Sequence, residues 1–398
     1  MSEKGYTRRE MLKMSAAAGT GLAIGASGFG SLVHVMDHMG AATKAGGKVD
    51  ESVVPFYGAH QAGIVTPQQT YVYLTAFDIV SDRRGGVIDL LKKWTRQSEH
   101  MTKGRLKTEQ ENKWLPPEDS GEAQDLGPSN LTVTFGFGPT FFSSGGRDRF
   151  GIAGRRPKHL RAIEHMPHDD LDESLSGGDL CVQVCGNDQQ VVFHAVRHLI
   201  RTAVGTAAVK WTKEGFLSAP KGKTPRNLFG FKDGTANVGN ANREAMDKVV
   251  WAGEDEPDWM ADGTYMAFRK IRMYLEVWDR SSLKDQEDTF GRKKASGAPY
   301  GKSRENAEID VSKLPKNSHV RLAKSTGKQI FRRGYSYTDG IDPKTGNVKA
   351  GLLFICFQQN PEKSFLPMLR LLSKKDALNE YTKHIASAMF ACPRGARK

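Results

Sequence analysis

Residues 71–79, YVYLTAFDI, alternate large and small side chains and are rich in β-formers, which predicts a strand. Residues 85–101 carry Val87, Leu90, Leu91 and Trp94 at helical spacing and predict an amphipathic helix. Residues 131–137, LTVTFGF, predict a second strand ended by Gly138-Pro139. Residues 180–185 predict a third, and 189–204 a second helix. Strand, helix, strand, strand, helix is the order of a ferredoxin-like α+β unit. Residues 265–277, YMAFRKIRMYLEV, repeat the strand pattern of 71–79, and 351–357, GLLFICF, echo 131–137. With 366–372 and 375–389 expected to be helical, the second half reads as the same topology again. Two such modules packed with their sheets together are the expected architecture. Residues 103–127, charged and holding Pro116-Pro117, predict an exposed insertion, and the basic, Gly-rich residues 287–301 predict a loop.

A chain of 398 residues can bury a substantial core, and 38% hydrophobic with 26% charged residues is an ordinary globular composition. The net charge of +13 suits an anionic polymer or an acidic protein partner. No helix-turn-helix, zinc-finger or RNA-binding signature accompanies it, so nucleic acid is not an expected partner. Four cysteines are too few to staple a chain this long. Cys181 and Cys185 fall on one face of a predicted strand, which reads as core packing; a metal or disulfide role for the CxxxC is the other reading.

Thr7-Arg8-Arg9-Glu10-Met11-Leu12-Lys13 resembles the twin-arginine export consensus. Residues 14–33 follow as a run rich in Ala, Gly and Ser, far less apolar than the ~20 strongly apolar residues of a spanning helix. The resemblance implies export of the folded protein by the twin-arginine translocase to an extracellular, envelope or periplasmic place. The expected division is 1–50 as signal and leader, 51–215 as an N-terminal module and 216–398 as a C-terminal module.

The chemistry centres on residues 226–237, RNLFGFKDGTAN. An acid set among apolar and glycine residues can be kept from bulk water and tuned for proton transfer. By composition alone, Lys-Asp-Gly-Thr reads first as an ordinary turn. Gly230-Phe231-Lys232-Asp233-Gly234 resembles the GxxDG signature of the dye-decolourising peroxidases. His319, in NSHVRLA, resembles that family's histidine segment, and Arg332, in IFRRGY, its arginine segment. GAHQAGI, LTVTFGFGP, DLCVQVC and EDTFGRKKASGAPYG resemble further landmarks, so the likeness spans nearly all of 51–398.

The resemblance implies the family's α+β barrel of two ferredoxin-like modules, with haem b (iron protoporphyrin IX) held mainly by the C-terminal one. His319 would be the proximal iron ligand, and Asp233 and Arg332 the distal acid and cation. Gly234, Thr235, Asn237, Leu352 and Phe354 would lie near the haem. The family places the first arginine of the pair distally, hence Arg332 rather than Arg333. His60, in a Gly-rich entry loop, reads as structural. The activity implied is reduction of hydrogen peroxide with one-electron oxidation of dyes, phenolics or ferrous iron. Together with the export signal, the motifs most resemble the Efe-type subgroup of bacterial iron uptake. That subgroup adds two readings: a deferrochelatase releasing iron from haem with the porphyrin intact, and a ferrous oxidase serving an iron permease. A haem carrier without turnover is a reading from another class, against which Asp233 and Arg332 argue. Homo-oligomerisation is compatible with all of these.

Overall fold

The computed structural model describes residues 53–105, 112–220, 222–239, 242–253 and 255–397. Its first half runs β1 (Tyr71–Ile79), α1 (Arg84–Met101), β2 (Thr132–Phe137), β3 (Leu180–Gly186), α2 (Gln189–Ala203) and β4 (Ala207–Phe216). β1 pairs antiparallel with β3 and β4, and β2 with β3, so the strands lie in the order β2-β3-β1-β4. That order, with one helix after β1 and another after β3, is the ferredoxin-like arrangement.

The second half repeats it. β5 (Thr264–Met273) is followed by α3 (Leu283–Phe290), α4 (His319–Ser325), β6 (Phe331–Arg332), β7 (Tyr335–Ile341), β8 (Val348–Gln358), α5 (Phe365–Lys375) and β9 (Thr382–Cys392). β5 lies between β8 and β9, β7 flanks β8, and the two-residue β6 also pairs with β8. β2 meets β9 at Phe137 and Ala391, and β4 meets β7 at Phe216 and Ser336. The two modules thereby join into one antiparallel ring. Ring closure removes most unpaired strand edges.

Alternation along the strands fills both faces of this ring. Val72, Leu74 and Ala76 of β1 join Cys181, Cys185, Phe268, Leu353 and Ile355 in one core. Tyr73 and Phe77 point the other way, into a cluster with Leu90 and Trp94 of α1 and Leu199 of α2. Each such large apolar side chain contributes about 1.5–3 kcal/mol on burial. The Trp94 indole also donates to the Leu199 carbonyl at 2.9 Å, tying the two outer helices together. All four cysteines are free and buried, so the CxxxC packs the core.

The structure departs from the sequence pattern in four places. Residues 375–389 are not helical: a short 3-10 turn at Ala377–Glu380 leads into β9. Its alanines favour a helix in isolation, but Ala386, Ala388 and Ala391 are buried where β9 packs between β5 and β2. The strand beginning at Thr264 ends at Met273, and Leu275–Trp278 turns helical. Residues 287–290 complete α3 rather than opening a loop, and Gly291 closes that helix with φ +82°. The 103–127 insertion is exposed at Trp114, yet Asp119 and Ala123 are buried.

The twin-arginine segment lies outside the described residues. No helix among the described residues is long and apolar enough to cross a membrane.

Candidate functional site

Asp233, Gly234, Thr235, His319, Arg332, Leu352 and Phe354 line a single cavity of about 490 Å³. That volume lies within the range of small-molecule and cofactor sites. Except for Pro167, His168 and Asp169, every lining residue comes from position 227 onward, so the cavity belongs to the second module. Its walls are largely apolar, including Phe229, Phe231, Phe290, Met368 and Leu372.

The loop carrying Asp233 is held from both sides. Phe229 and Phe231 are buried with Trp278 and Phe290, and Phe231 stacks on Phe290 at 4.1 Å between centroids. Gly230 between them has φ +82°, a conformation open to glycine at little cost. Arg226 donates to the carbonyls of Gly230, Lys294 and Ala295, each at 2.7 Å, joining this loop to the segment after α3. Glu305 accepts from Lys232 and, at 2.8 Å, from the Thr235 hydroxyl. Residues on either side of Asp233 are thus clamped by one carboxylate that no motif singled out.

Burial opposes ionisation of Glu305, but hydrogen bonds from Lys232, Thr224 and Thr235 bring it from 4.5 down to about 2. A folded-state value below the unfolded one stabilises the protein above 4.5, and that contribution is lost as the pH falls towards 2. Glu305→Gln should therefore lower the melting temperature at neutral pH and converge on wild type in acid. Identical melting curves at neutral pH would show that the clamp contributes nothing.

Arg332 reaches the cavity from β6 and donates through Nη1 to Asp233 Oδ1 at 2.8 Å. Its neighbour Arg333 points to the opposite side, buried, donating to the Thr66 carbonyl at 2.6 Å and to the Gln69 side chain. Strand alternation alone separates the two guanidiniums. Asn237 does not line the cavity. Its amide donates to the Arg332 carbonyl at 2.7 Å and its Oδ1 accepts from the Arg332 N–H at 2.8 Å, fixing that main chain to the Asp233 loop. On β8, Leu352 and Phe354 face the cavity while Leu353 and Ile355 face the ring interior.

His319 is the first residue of α4, and its Nδ1 lies 2.6 Å from Asp376 Oδ2. The carboxylate accepts, so Nδ1 carries the proton, and in the neutral imidazole the Nε2 lone pair is free. Burial works to lower the imidazole's pKa, but the Asp376 charge and hydrogen bond outweigh it and raise it. Asp376 gave no signal in the sequence, because its partner is 57 residues away. At another stretch of wall, Arg269 donates from Nε to His384 at 2.8 Å and pairs with Asp169, while its buried Nη1 has no partner among the described residues. His60 is elsewhere, stacked on Trp251 at 3.6 Å with Nδ1 bound to the Asp262 carbonyl.

An acid, a cation and a carboxylate-backed imidazole around one apolar cavity agree with the comparisons to known proteins. Profiles described as "Dyp-type peroxidase, N-terminal" and "Dyp-type peroxidase, C-terminal" match residues 61–217 and 224–397. The chain belongs to the Dyp-type peroxidase family. This is a family of haem-dependent oxidoreductases. The chain is 40% identical over 362 residues to a deferrochelatase of Escherichia coli, spanning 86% of this chain and 84% of the relative. The DyP-type peroxidase of Streptomyces coelicolor superposes with a TM-score of 0.81 at 37% identity, covering 89% of this chain and 97% of that one. Ferric DtpA of Streptomyces lividans gives 0.80 at 38%, covering 87% and 94%. The Dyp-type fold in this chain is the closed ring of two ferredoxin-like modules described above.

Proposed function

We propose that the chain is a haem b peroxidase that reduces hydrogen peroxide and takes single electrons from a dye, a phenolic or ferrous iron. The observation that carries this is the Asp233–Arg332 pair opening on the same cavity as His319. The donor set fits haem. A neutral imidazole with a free Nε2, backed by a carboxylate, is a good axial ligand for iron. The apolar wall suits a porphyrin face, and the unpartnered Arg269 Nη1 suits a porphyrin carboxylate. Bound there, haem would supply the redox chemistry.

The chain's own groups supply proton transfer and charge. The Asp233 carboxylate would take a proton from one peroxide oxygen and return it to the other, which would leave as water as the O–O bond breaks, with bound haem supplying the two electrons. The Arg332 guanidinium, always charged, stabilises the negative charge that develops on oxygen as that bond breaks. Asp376 holds His319 in one tautomer. Asp376→Asn should cost about 10–100-fold in activity or haem affinity and shift the Soret band. A variant with wild-type spectrum and rate would remove Asp376 from this role.

The direct test is stopped-flow absorbance of haem-loaded protein mixed with peroxide. A fast spectral change, reversed by a dye or ferrous iron, supports the peroxidase; an inert spectrum overturns it. The name of the curated relatives favours a second reading, removal of iron from haem with the porphyrin left whole. Metal-free porphyrin fluorescence after incubation with haem would support it, and intact haem would exclude it. Export rests on Arg8-Arg9. A double Arg8→Lys, Arg9→Lys variant should remain in the cytoplasm on fractionation, and unchanged export would exclude the twin-arginine route.

A further inference from the structure

Away from the cavity, residues 112–127 of the insertion pack onto α2 and bury a second cluster of ligating side chains. His194 and His198 are one helical turn apart on α2, so both imidazoles project from the same face. Asp119 meets them from the insertion. His194 Nε2 lies 3.0 Å from Asp119 Oδ1, and His198 Nε2 lies 3.9 Å from the same oxygen. The three residues are 1%, 5% and 7% exposed for His194, His198 and Asp119. One ligand atom from each falls within 4.8 Å of the others. We propose that Asp119, His194 and His198 form a metal site that takes one divalent first-row transition ion such as Zn2+ or Fe2+.

The chemistry matches that class of ion. Two imidazoles and one carboxylate suit zinc or non-haem ferrous iron better than magnesium or calcium, which prefer oxygen ligands. Metal–nitrogen and metal–oxygen bonds of about 2.0–2.2 Å place tetrahedral ligands about 3.3 Å apart. The separations of 3.0 and 3.9 Å from Asp119 bracket that value, and all three ligand atoms already lie within 4.8 Å of one another. His198 Nε2 accepts from the Ser120 N–H at 3.2 Å and lies 2.8 Å from the Ser120 hydroxyl, so this nitrogen carries its lone pair towards the cluster and a metal would displace Ser120 from it. His194 Nε2 donates to Asp119 in the metal-free protein and would move its proton to Nδ1 on binding.

Asp119, His194 and His198 have protein partners, including the Gly121 N–H that donates to Asp119 Oδ1 at 2.8 Å, but a neighbouring carboxylate oxygen does not. Glu122, also from the insertion, accepts from Arg197 through Oε1 at 3.0 Å. Its Oε2 is buried without a hydrogen-bond partner among the described residues. A cation held by the two imidazoles would add a positive charge near this carboxylate, which already feels His194. The ion would staple the insertion to α2. The site is independent of the haem cavity, whose lining includes none of these residues.

The test is a calorimetric titration of full-length, haem-loaded, chelator-washed protein with Zn2+. One ion per chain is expected, with binding weakened at least about 100-fold in Asp119→Asn and in His198→Gln. An unchanged Soret band in both variants shows that they fold. X-ray absorption at the zinc edge of the wild-type protein reads the ligands directly, whether or not the variants fold. Two imidazoles and a carboxylate oxygen are expected. No binding, undiminished binding in the variants, or a first shell lacking imidazole would each overturn the site.

Discussion

Asp233→Asn is expected to slow the reaction with hydrogen peroxide by roughly 10²–10⁴-fold, the usual worth of a positioned acid–base group. The substitution removes the proton-accepting oxygen but keeps the shape, and the amide oxygen can still accept from Arg332. The loop should hold its place, because its anchors are elsewhere: Phe229 and Phe231 in the aromatic cluster, and Lys232 and Thr235 on Glu305. Haem loading and the resting spectrum should therefore match wild type. That separates a lost proton path from a collapsed site. Stopped-flow rates at saturating haem decide the matter, and a wild-type rate in the variant would show that the proton moves by another route.

Arg332→Leu is expected to cost about 10²–10³-fold in the same step, the penalty for losing one preorganised donor at a developing negative charge. Leucine can sit in the apolar wall beside Leu352 and Phe354, and the Asn237 bonds are made to the main chain of residue 332. The backbone is then unchanged while the charge is gone. Arg332→Lys adds a discriminating arm. Lysine restores a point charge without the planar fork, so partial recovery is expected if charge is what matters. If leucine and lysine variants both react at the wild-type rate, Arg332 only pairs with Asp233 at rest and has no part in the reaction.

The expectations that held longest were those resting on local periodicity. β1, α1, β2, β3 and α2 lie where alternation and helical spacing place them, because their apolar faces match the period of the element. β9 was misread as a helix because alanine carries no local β signal; its strand form depends on partners more than 100 residues earlier, in β5 and β2. The choice between Arg332 and Arg333 came only from family likeness. In the structure it follows from β6 alternation, which sends one guanidinium to Asp233 and the other to Gln69. Asn237, expected as a hydrogen-bonding neighbour of the site, bonds the Arg332 main chain through both ends of its amide.

By itself the sequence determined the two-module α+β plan, the family, and the residues with short motifs around them: Asp233, His319 and Arg332. A motif is legible when its chemistry and its backbone requirements sit within a few consecutive positions, as glycine and acid do at 230–234. Only the tertiary structure decided what surrounds them. Asp376 behind His319, Glu305 beneath Thr235, and Asp119 against His194 join residues 57, 70 and 75 positions apart. Such pairs leave no periodic trace, because a side-chain hydrogen bond depends on distance in space and is indifferent to separation along the chain. The folding of each module brings them together, joining loops and helices that are distant in the chain.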